Sequence, residues 1–75
     1  MIDFREYDEE YICVEDASCE KETDTAILVE IDGESVWVPK SQIHEDSEVY
    51  EEDTSGNLIV SKWWGKEKGF WEDDS

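Results

Sequence analysis

The clearest alternation of apolar and polar positions lies at residues 25–43, TAILVEIDGESVWVPKSQI. An apolar, β-branched run at 26–31 is followed by Asp32–Gly33 and then by a second β-prone run at 35–38. Two such runs around Asp-Gly predict a β-hairpin, with either Asp32–Gly33 or Gly33–Glu34 as its loop. Side chains alternate between the faces of a strand, so the predicted core face carries Ile27, Val29, Ile31, Val36 and Val38. The opposite face carries Leu28, Glu30, Asp32 and Trp37.

The chain before the hairpin is less regular. Phe4, Tyr7 and Tyr11 have helical spacing, which permits a helical turn or two, and an extended, frayed start at residues 1–10 is the alternative. Residues 11–14 and 17–24 are predicted strands, interrupted by Glu15–Asp16. The second of these strands is expected to turn near Asp24 into the hairpin.

After the hairpin, Pro39 should end the second strand and begin a single α or 3₁₀ turn that returns Ile43 to the core. Val49 and Tyr50 could form a brief strand. Residues 55–57, Ser-Gly-Asn, are typical of a turn, and residues 58–62 predict the last strand. Ser61 would then cap a short helix that ends at Gly69, and residues 72–75 are expected to fray.

These elements predict one small, mainly β domain over residues 1–75. The expected architecture is a partly closed antiparallel barrel, SH3-like or OB-like, or a meander with short helical turns. Closure would remove exposed strand edges, which are a liability in a small sheet.

Composition adds an extreme charge to this picture. The chain has 75 residues, with 23 Asp and Glu against 6 Lys and Arg, for a net charge of −17. Such a charge excludes nucleic acid and anionic membrane as partners and favours a basic one. It also repels a second copy, so a monomer is expected. The nine aromatic residues and the β pattern argue against disorder. No apolar run has the length of a membrane span or the form of a signal peptide, so we expect a cytoplasmic protein.

The charge is uneven along the chain. Residues 1–24 carry −8 and residues 44–57 carry −6, whereas residues 25–43 carry −2 and residues 58–75 only −1. Two acidic zones therefore flank the hairpin. The nearly neutral C-terminal segment holds three of the four tryptophans.

Candidate chemistry is sparse. Cys13, Cys19 and His44 are the only soft metal ligands, and their spacing fits no standard zinc site. We expect Cys13 to pack as a small apolar residue and Cys19 to lie at a strand surface. His44 beside Glu45–Asp46 could act as a base, but no nucleophile motif accompanies it. We therefore predict no enzyme activity, no metal site and no cofactor.

The tryptophans could stack nucleic-acid bases, as in OB-folds, but the net charge opposes approach to a phosphate backbone. Packing in the core and over it is favoured for Trp63 and Trp64. Trp37, on the face with Glu30, is the best candidate for an exposed anchor of a protein partner.

The acidic residues carry the main functional signal. Alternate residues on a strand lie about 6.6–6.8 Å apart, which is twice the phosphate rise along one DNA strand. Glu20, Glu22 and Asp24 have this spacing, and so would a strand reaching from Glu30 to Glu34. A charge of −17 equals that of roughly 29 Å of duplex DNA. The predicted partner-binding residues are Glu20, Glu22, Asp24, Glu30, Asp32, Glu34, Trp37, Glu45, Asp46, Glu48, Tyr50, Glu51, Glu52 and Asp53.

In size, charge and folded acidity the chain resembles the small acidic proteins that phages use as DNA mimics. These include anti-CRISPR proteins and inhibitors of restriction enzymes or of uracil-DNA glycosylase. The segments ILVEIDGESVWVPKSQI and LIVSKWWGKEKG are also similar to a family of small bacterial and phage proteins, to which we attach no activity. This second resemblance implies one compact β domain of phage or bacterial origin.

We therefore expect an inhibitor that occupies the basic nucleic-acid channel of a host defence nucleoprotein, with a CRISPR effector as the expected target. It would act in the cytoplasm of the bacterial host cell, without touching nucleic acid or membrane itself. The alternative is a protein-interaction module that binds a basic partner and inhibits nothing. Competition with DNA for the partner separates the two hypotheses.

Overall fold

The computed structural model describes residues 4–72, which contain five strands, one 3₁₀ turn and one α-helix. The strands form one antiparallel sheet, and the helix packs against it over an apolar core. In chain order the elements are β1 (Arg5–Glu6), β2 (Tyr11–Glu22), β3 (Ala26–Ile31), β4 (Glu34–Pro39), the 3₁₀ turn (Lys40–Gln42), β5 (Ser55–Ser61) and α1 (Lys62–Lys68).

The predicted hairpin is confirmed as β3 and β4. Ile31 pairs with Glu34, so Asp32–Gly33 is the two-residue loop. Both loop residues have positive φ, 52° for Asp32 and 83° for Gly33, as a type I′ turn requires. The side-chain parity is also confirmed: Ile27, Val29, Ile31 and Val38 are buried, and Val36 packs at the edge of the core.

The two predicted strands before the hairpin are one long strand, β2, with a bulge where an interruption was expected. Between Val14 and Ala17 two residues, Glu15 and Asp16, lie opposite the single Asn57 on β5, and Asp16 takes a φ of 61°. One extra residue moves the following side chains to the other face of a strand. Cys19 is therefore buried rather than at the strand surface as predicted, while Cys13 is only half-buried.

The sheet does not close into a barrel: β2, β3 and β4 form a meander, and β5 returns to pair with β2. Ile12 and Cys13 pair with β1 on one edge and with β5 on the other, and Ser18 likewise pairs with both β3 and β5. β1 and β3 therefore share one edge of β2, and β5 occupies the opposite edge. The predicted mainly β class is confirmed. A single bridge between Ile43 and Val60 brings the end of the 3₁₀ turn back to β5, as expected for Ile43.

The C-terminal helix is also as predicted. The Ser61 Oγ accepts a hydrogen bond from the Trp64 N–H, and Gly69 ends the helix with a φ of 80°. Gly65 lets α1 lie close to β2, since a Cβ there would come within 2.5 Å of the Ile12 Cδ1. The buried Trp64 ring packs against Phe4 and Phe70.

At the N-terminus the extended alternative is found rather than the helical turn: over residues 4–10 the chain forms β1 and a turn in which the Glu10 and Tyr11 amides donate to Asp8 Oδ1. Two predictions for the chain after the hairpin are wrong. Val49 and Tyr50 lie in a loop rather than a strand, and the apolar Val49 is instead buried in the core on its own. Residues 55–57 extend β5 instead of turning, since Gly56 pairs with Ala17 beside the bulge. Of the fraying predicted at residues 1–10 and 72–75, the parts at 1–3 and 73–75 lie outside the described residues.

Candidate acidic interface

The acidic loop, defined as residues 44–54, is held in place by its apolar and hydroxyl side chains. Val49 is fully buried in the core. The buried Ser47 Oγ donates to the Val49 carbonyl at 2.9 Å and accepts from the Ile59 N–H at 3.1 Å. The Thr54 Oγ1 accepts from the amides of Tyr50 and Glu51. The loop carboxylates therefore project from an anchored backbone into solvent.

The start of the loop is fixed by a cluster around His44 that the sequence did not indicate. The His44 ring lies edge-on to the rings of Tyr11 and Tyr7, at centroid distances of 4.5 and 5.4 Å. His44 Nδ1 accepts the Asp46 N–H at 2.9 Å, and the Tyr7 hydroxyl donates to Asp46 Oδ2 at 3.3 Å. Desolvation and the Asp46 carboxylate raise the pKa of Tyr7. His44 is thus a packing and hydrogen-bonding residue in this geometry.

The end of the loop is bound to β2. The Cys19 N–H donates to the Thr54 carbonyl at 2.8 Å, and the Glu52 N–H donates to Glu22 Oε1 at 3.3 Å. Glu22 also forms a 2.6 Å ion pair with Lys40, and these two hydrogen bonds lower the pKa of Glu22, with Lys40 as the larger cause. Burial raises the pKa of the Cys19 thiol, and the nearby carboxylates of Glu22, Glu52 and Asp53 raise it further.

An open cavity of about 430 Å³ lies between this end of β2 and the acidic loop. Three carboxylates, those of Glu22, Glu45 and Glu51, line it together with the ring of Tyr50, which is 52% exposed. Lys40, Ile43 and His44 complete the lining. Because Glu22 is already paired with Lys40, the carboxylates of Glu45 and Glu51 beside the exposed Tyr50 are the groups suited to a guanidinium or ammonium group. This cavity joins four of the predicted partner-binding residues at one place.

The regular carboxylate ladders predicted on the strands are not formed. Glu20 is the extra residue in a second bulge of β2, and its carboxylate accepts the Ser35 hydroxyl at 2.8 Å. Glu22 turns instead to Lys40, and Asp24 lies in the turn after β2. β3 ends at Ile31, so Glu30, Asp32 and Glu34 do not follow one strand. The bulge and the tight turn break the alternate spacing.

The remaining predicted acids are exposed in the acidic loop. Asp46, Glu52 and Asp53 project there, while Glu48 is tied to β5 because its carboxylate accepts the Asn57 N–H at 2.9 Å. A further acidic group that the prediction omitted lies in the turn between β1 and β2, where Asp8, Glu9 and Glu10 are all exposed.

The exposed tryptophans line a cavity that shares no residue with the cavity beside the acidic loop. Trp37 is 47% exposed, as predicted, but Trp63 is 63% exposed and does not pack in the core. Trp63 points away because it precedes the buried Trp64 on a short helix that has one inner face. The tryptophan groove, an open cavity of about 340 Å³, is lined by Ala26, Trp37, Pro39, Trp63, Trp64, Glu67 and Lys68.

Within residues 4–72, no three His, Cys, Asp or Glu side chains are grouped as a metal site, and both cysteines are free thiols. In the same range no helix is long and apolar enough to cross a membrane. Comparison with protein-family models, with curated proteins and with solved structures returned no match. The resemblance to phage DNA mimics and to small bacterial and phage proteins therefore stays a prediction.

Proposed function

We propose that the protein is an acidic DNA-mimic inhibitor that occupies the basic nucleic-acid channel of a host defence nucleoprotein, with a CRISPR effector as the expected target. The observation that carries this proposal is a charge of −17 on the chain, of which −14 lies on the described residues 4–72, in a fold only 35 Å long. Duplex DNA of that length carries roughly 20 charges. The protein thus approaches the charge density of the ligand it would replace.

Anchoring of the acids supports the same proposal. A disordered acidic chain would lose conformational entropy when ordered by a partner, at a cost in affinity. Here the buried Val49 and the hydrogen bonds of Ser47 and Thr54 hold the acidic loop before any partner binds. Binding should be fast because of electrostatic steering, and it should weaken steeply with salt.

The cavity between Glu22 and the acidic loop is the proposed seat for a Lys or Arg side chain of the target. In the double variant Glu45→Lys, Glu51→Lys, two of its carboxylates become cations. The matched control is Glu9→Lys, Glu10→Lys, which changes the net charge equally but alters the β1–β2 turn. Neither pair uses a carboxylate that the structure shows in a hydrogen bond.

The experiment is capture of proteins from bacterial lysate on the immobilised wild type and on both variants, at low and high salt, with duplex DNA as competitor. The expected result is one nucleic-acid-binding complex that DNA displaces, with capture lost at least tenfold in the Glu45/Glu51 variant and largely kept in the control. A tenfold loss corresponds to about 1.4 kcal/mol. Equal loss in both variants would mean that only the total charge matters and would contradict the proposed seat.

The alternative, a non-inhibitory interaction module, is favoured by one separate observation. The exposed Trp37 and Trp63 border an apolar groove in the least acidic part of the chain, where a DNA mimic needs no such feature. A module of this kind would hold its partner through the tryptophan groove. Capture that DNA does not displace, and that Trp37→Ser abolishes, would favour the module over the mimic.

A further inference from the structure

β4 has one free edge, and the register of the hairpin shows which backbone groups it offers. In a two-residue hairpin the residues flanking the loop form the hydrogen-bonded pair, and pairs then alternate along the ladder. Ile31 with Glu34 is that first pair, so Val36 and Val38 direct their backbone groups to β3. Lys40 follows the last residue of β4, and its N–H donates to the Thr25 carbonyl at 2.8 Å. Lys40 is two residues after Val38, so this bond continues the same alternation along the hairpin.

The alternate residues, Ser35 and Trp37, therefore direct their N–H and C=O groups outward. Among residues 4–72 no strand pairs with that edge of β4. Pro39 is the next residue whose backbone faces outward, but proline has no N–H to donate. The part of the edge that can pair with another strand therefore ends before Pro39. The free edge is thus short, with two outward N–H groups, which suits one added strand of a few residues.

Side chains on the outer face give this edge two chemically distinct positions. Beside Trp37 lies the tryptophan groove, where Trp63 from α1 faces the same opening. Beside Ser35 lie two carboxylates. Glu20 accepts the Ser35 hydroxyl at 2.8 Å, and Glu30 is the residue directly opposite Ser35 on β3. An apolar position and an anionic position therefore alternate along β4, about 6.6–6.8 Å apart.

We propose that the free edge of β4 binds an extended segment of a basic protein partner by strand addition. One apolar side chain of the segment enters the tryptophan groove beside Trp37. A Lys or Arg two residues away, on the same face of the added strand, lies against Glu20 and Glu30. This inference rests on the proposed function only in taking the partner to be basic, because the target of a DNA mimic carries the Lys and Arg that hold phosphates.

The charge of the protein favours a basic segment, rather than a second copy of this chain, as the strand that pairs with the β4 edge. Two β4 edges in contact would bring Glu20, Glu30 and Glu34 of each copy together, with −17 on both molecules. Directly opposed like charges destabilise strand pairing. A cationic segment instead meets the carboxylates with opposite charge while its backbone bonds to Ser35 and Trp37.

The test uses the ¹⁵N-labelled 75-residue protein and three kinds of short peptide of equal length, with both termini blocked so that they carry no charge. The first kind has Leu and Arg two residues apart and is made in two versions, one with Leu first and one with Arg first. The second has the same composition with Leu and Arg adjacent, which puts them on opposite faces of a strand. The third carries Glu in place of Arg. Amide hydrogen exchange of Ser35 and Trp37 is read against that of Val36 and Val38, which are bonded within the hairpin.

At saturation with the first peptide, exchange at Ser35 and Trp37 should slow at least roughly tenfold, with little change at Val36 and Val38. The second and third peptides should bind at least tenfold more weakly. Binding that leaves exchange at Ser35 and Trp37 unchanged, or equal binding of the Arg and Glu peptides, would overturn the proposal. Because no DNA or target complex is present, the outcome is independent of whether the protein mimics DNA.

A pair of variants isolates the backbone contribution. Ser35→Pro removes one outward N–H and no bond to β3, whereas Ser35→Ala removes only the hydroxyl. Peptide affinity should fall at least tenfold in the proline variant relative to the alanine variant. Should Ser35→Pro unfold, Trp37→Ser keeps the edge intact and should lose affinity for Leu-containing peptide. Unchanged affinity in a folded Ser35→Pro or in Trp37→Ser would also overturn the proposal.

Discussion

The acidic loop and the tryptophan groove differ in what holds them together. The loop has no strand or helix over residues 44–54, and it keeps its form through a few buried side chains, hydroxyl hydrogen bonds and single backbone hydrogen bonds to β2 and β5. The groove is built on β3, β4 and α1, whose backbones are regular. Of these two regions, the acidic loop carries the charge and supplies one buried apolar residue, Val49, whereas the groove carries exposed aromatic rings and little charge.

This difference has a physical reason. Carboxylates need water and cannot be buried without partners. The acidic loop lacks the alternating apolar positions that let β2 bury one face, so it contributes only isolated anchors to a thin core. Val49 and Ser47 are such anchors in the acidic loop. The segments with little charge can supply whole apolar faces, and they form the hairpin and the helix that shape the core. The two regions should therefore respond differently to substitution.

The largest expected effect is on the groove side. Trp64→Ala removes a buried indole that packs against Phe4 and Phe70 and leaves a cavity in its place. It should lower the free energy of unfolding by about 3–5 kcal/mol. The adjacent Trp63→Ala is the matched control, since that ring is mostly exposed and should cost under about 0.5 kcal/mol. Urea denaturation followed by circular dichroism measures both. Equal losses would contradict the assignment of Trp64 to the core and Trp63 to the groove.

A smaller effect is expected in the acidic loop. Ser47→Ala leaves the buried Ile59 N–H without its acceptor and should cost about 1–3 kcal/mol. Amide exchange in the loop should also become faster than in β3 and β4. Ser41→Ala, at an exposed position in the 3₁₀ turn, is the control and should change neither quantity. If both serine variants behave alike, the loop is not anchored through Ser47.

The smallest effect concerns the pH dependence of the contact between β2 and the acidic loop. The pKa of Glu22 is below its usual value of 4.5 in the folded state, so its interactions stabilise the fold above that pH. This contribution is lost as the pH falls through the folded pKa. Glu22→Gln should thus be less stable than the wild type at pH 7, with the difference vanishing in acid.

The control for that experiment is Glu9→Gln, which changes the net charge equally at an exposed turn. Chemical denaturation at several pH values between 7 and 3 compares the three proteins. A difference between Glu22→Gln and the wild type that stays constant over this range would contradict a role for the Glu22 ion pair with Lys40.

Much of the fold followed from local patterns. The hairpin and its parity were predictable because Asp-Gly between β-branched runs has few alternative conformations. The helix from Ser61 to Gly69 was predictable because a capping hydroxyl and a glycine stop act over a few residues. The uneven charge was also evident, and with it the expectation of a basic partner.

The bulges were decided by tertiary pairing. Nothing near Glu15–Asp16 distinguishes an interruption from a bulge, and only the match of β2 with β5 settles that the strand continues. The parity of Cys19 depends on that extra residue. The second bulge sends Glu20 towards Ser35 and Glu22 towards Lys40, so the predicted carboxylate ladder is broken by pairing with β3.

The sequence by itself therefore determined the elements whose signals are local and the uneven distribution of charge, from which a basic partner stays a prediction. Only the tertiary structure decided which acids share a cavity, that Val49 is a buried anchor in a loop rather than part of a strand, and that Trp63 stays exposed. The physical reason is range: turn and cap preferences act over a few residues, whereas register, burial and the gathering of side chains at one place depend on pairing between distant segments.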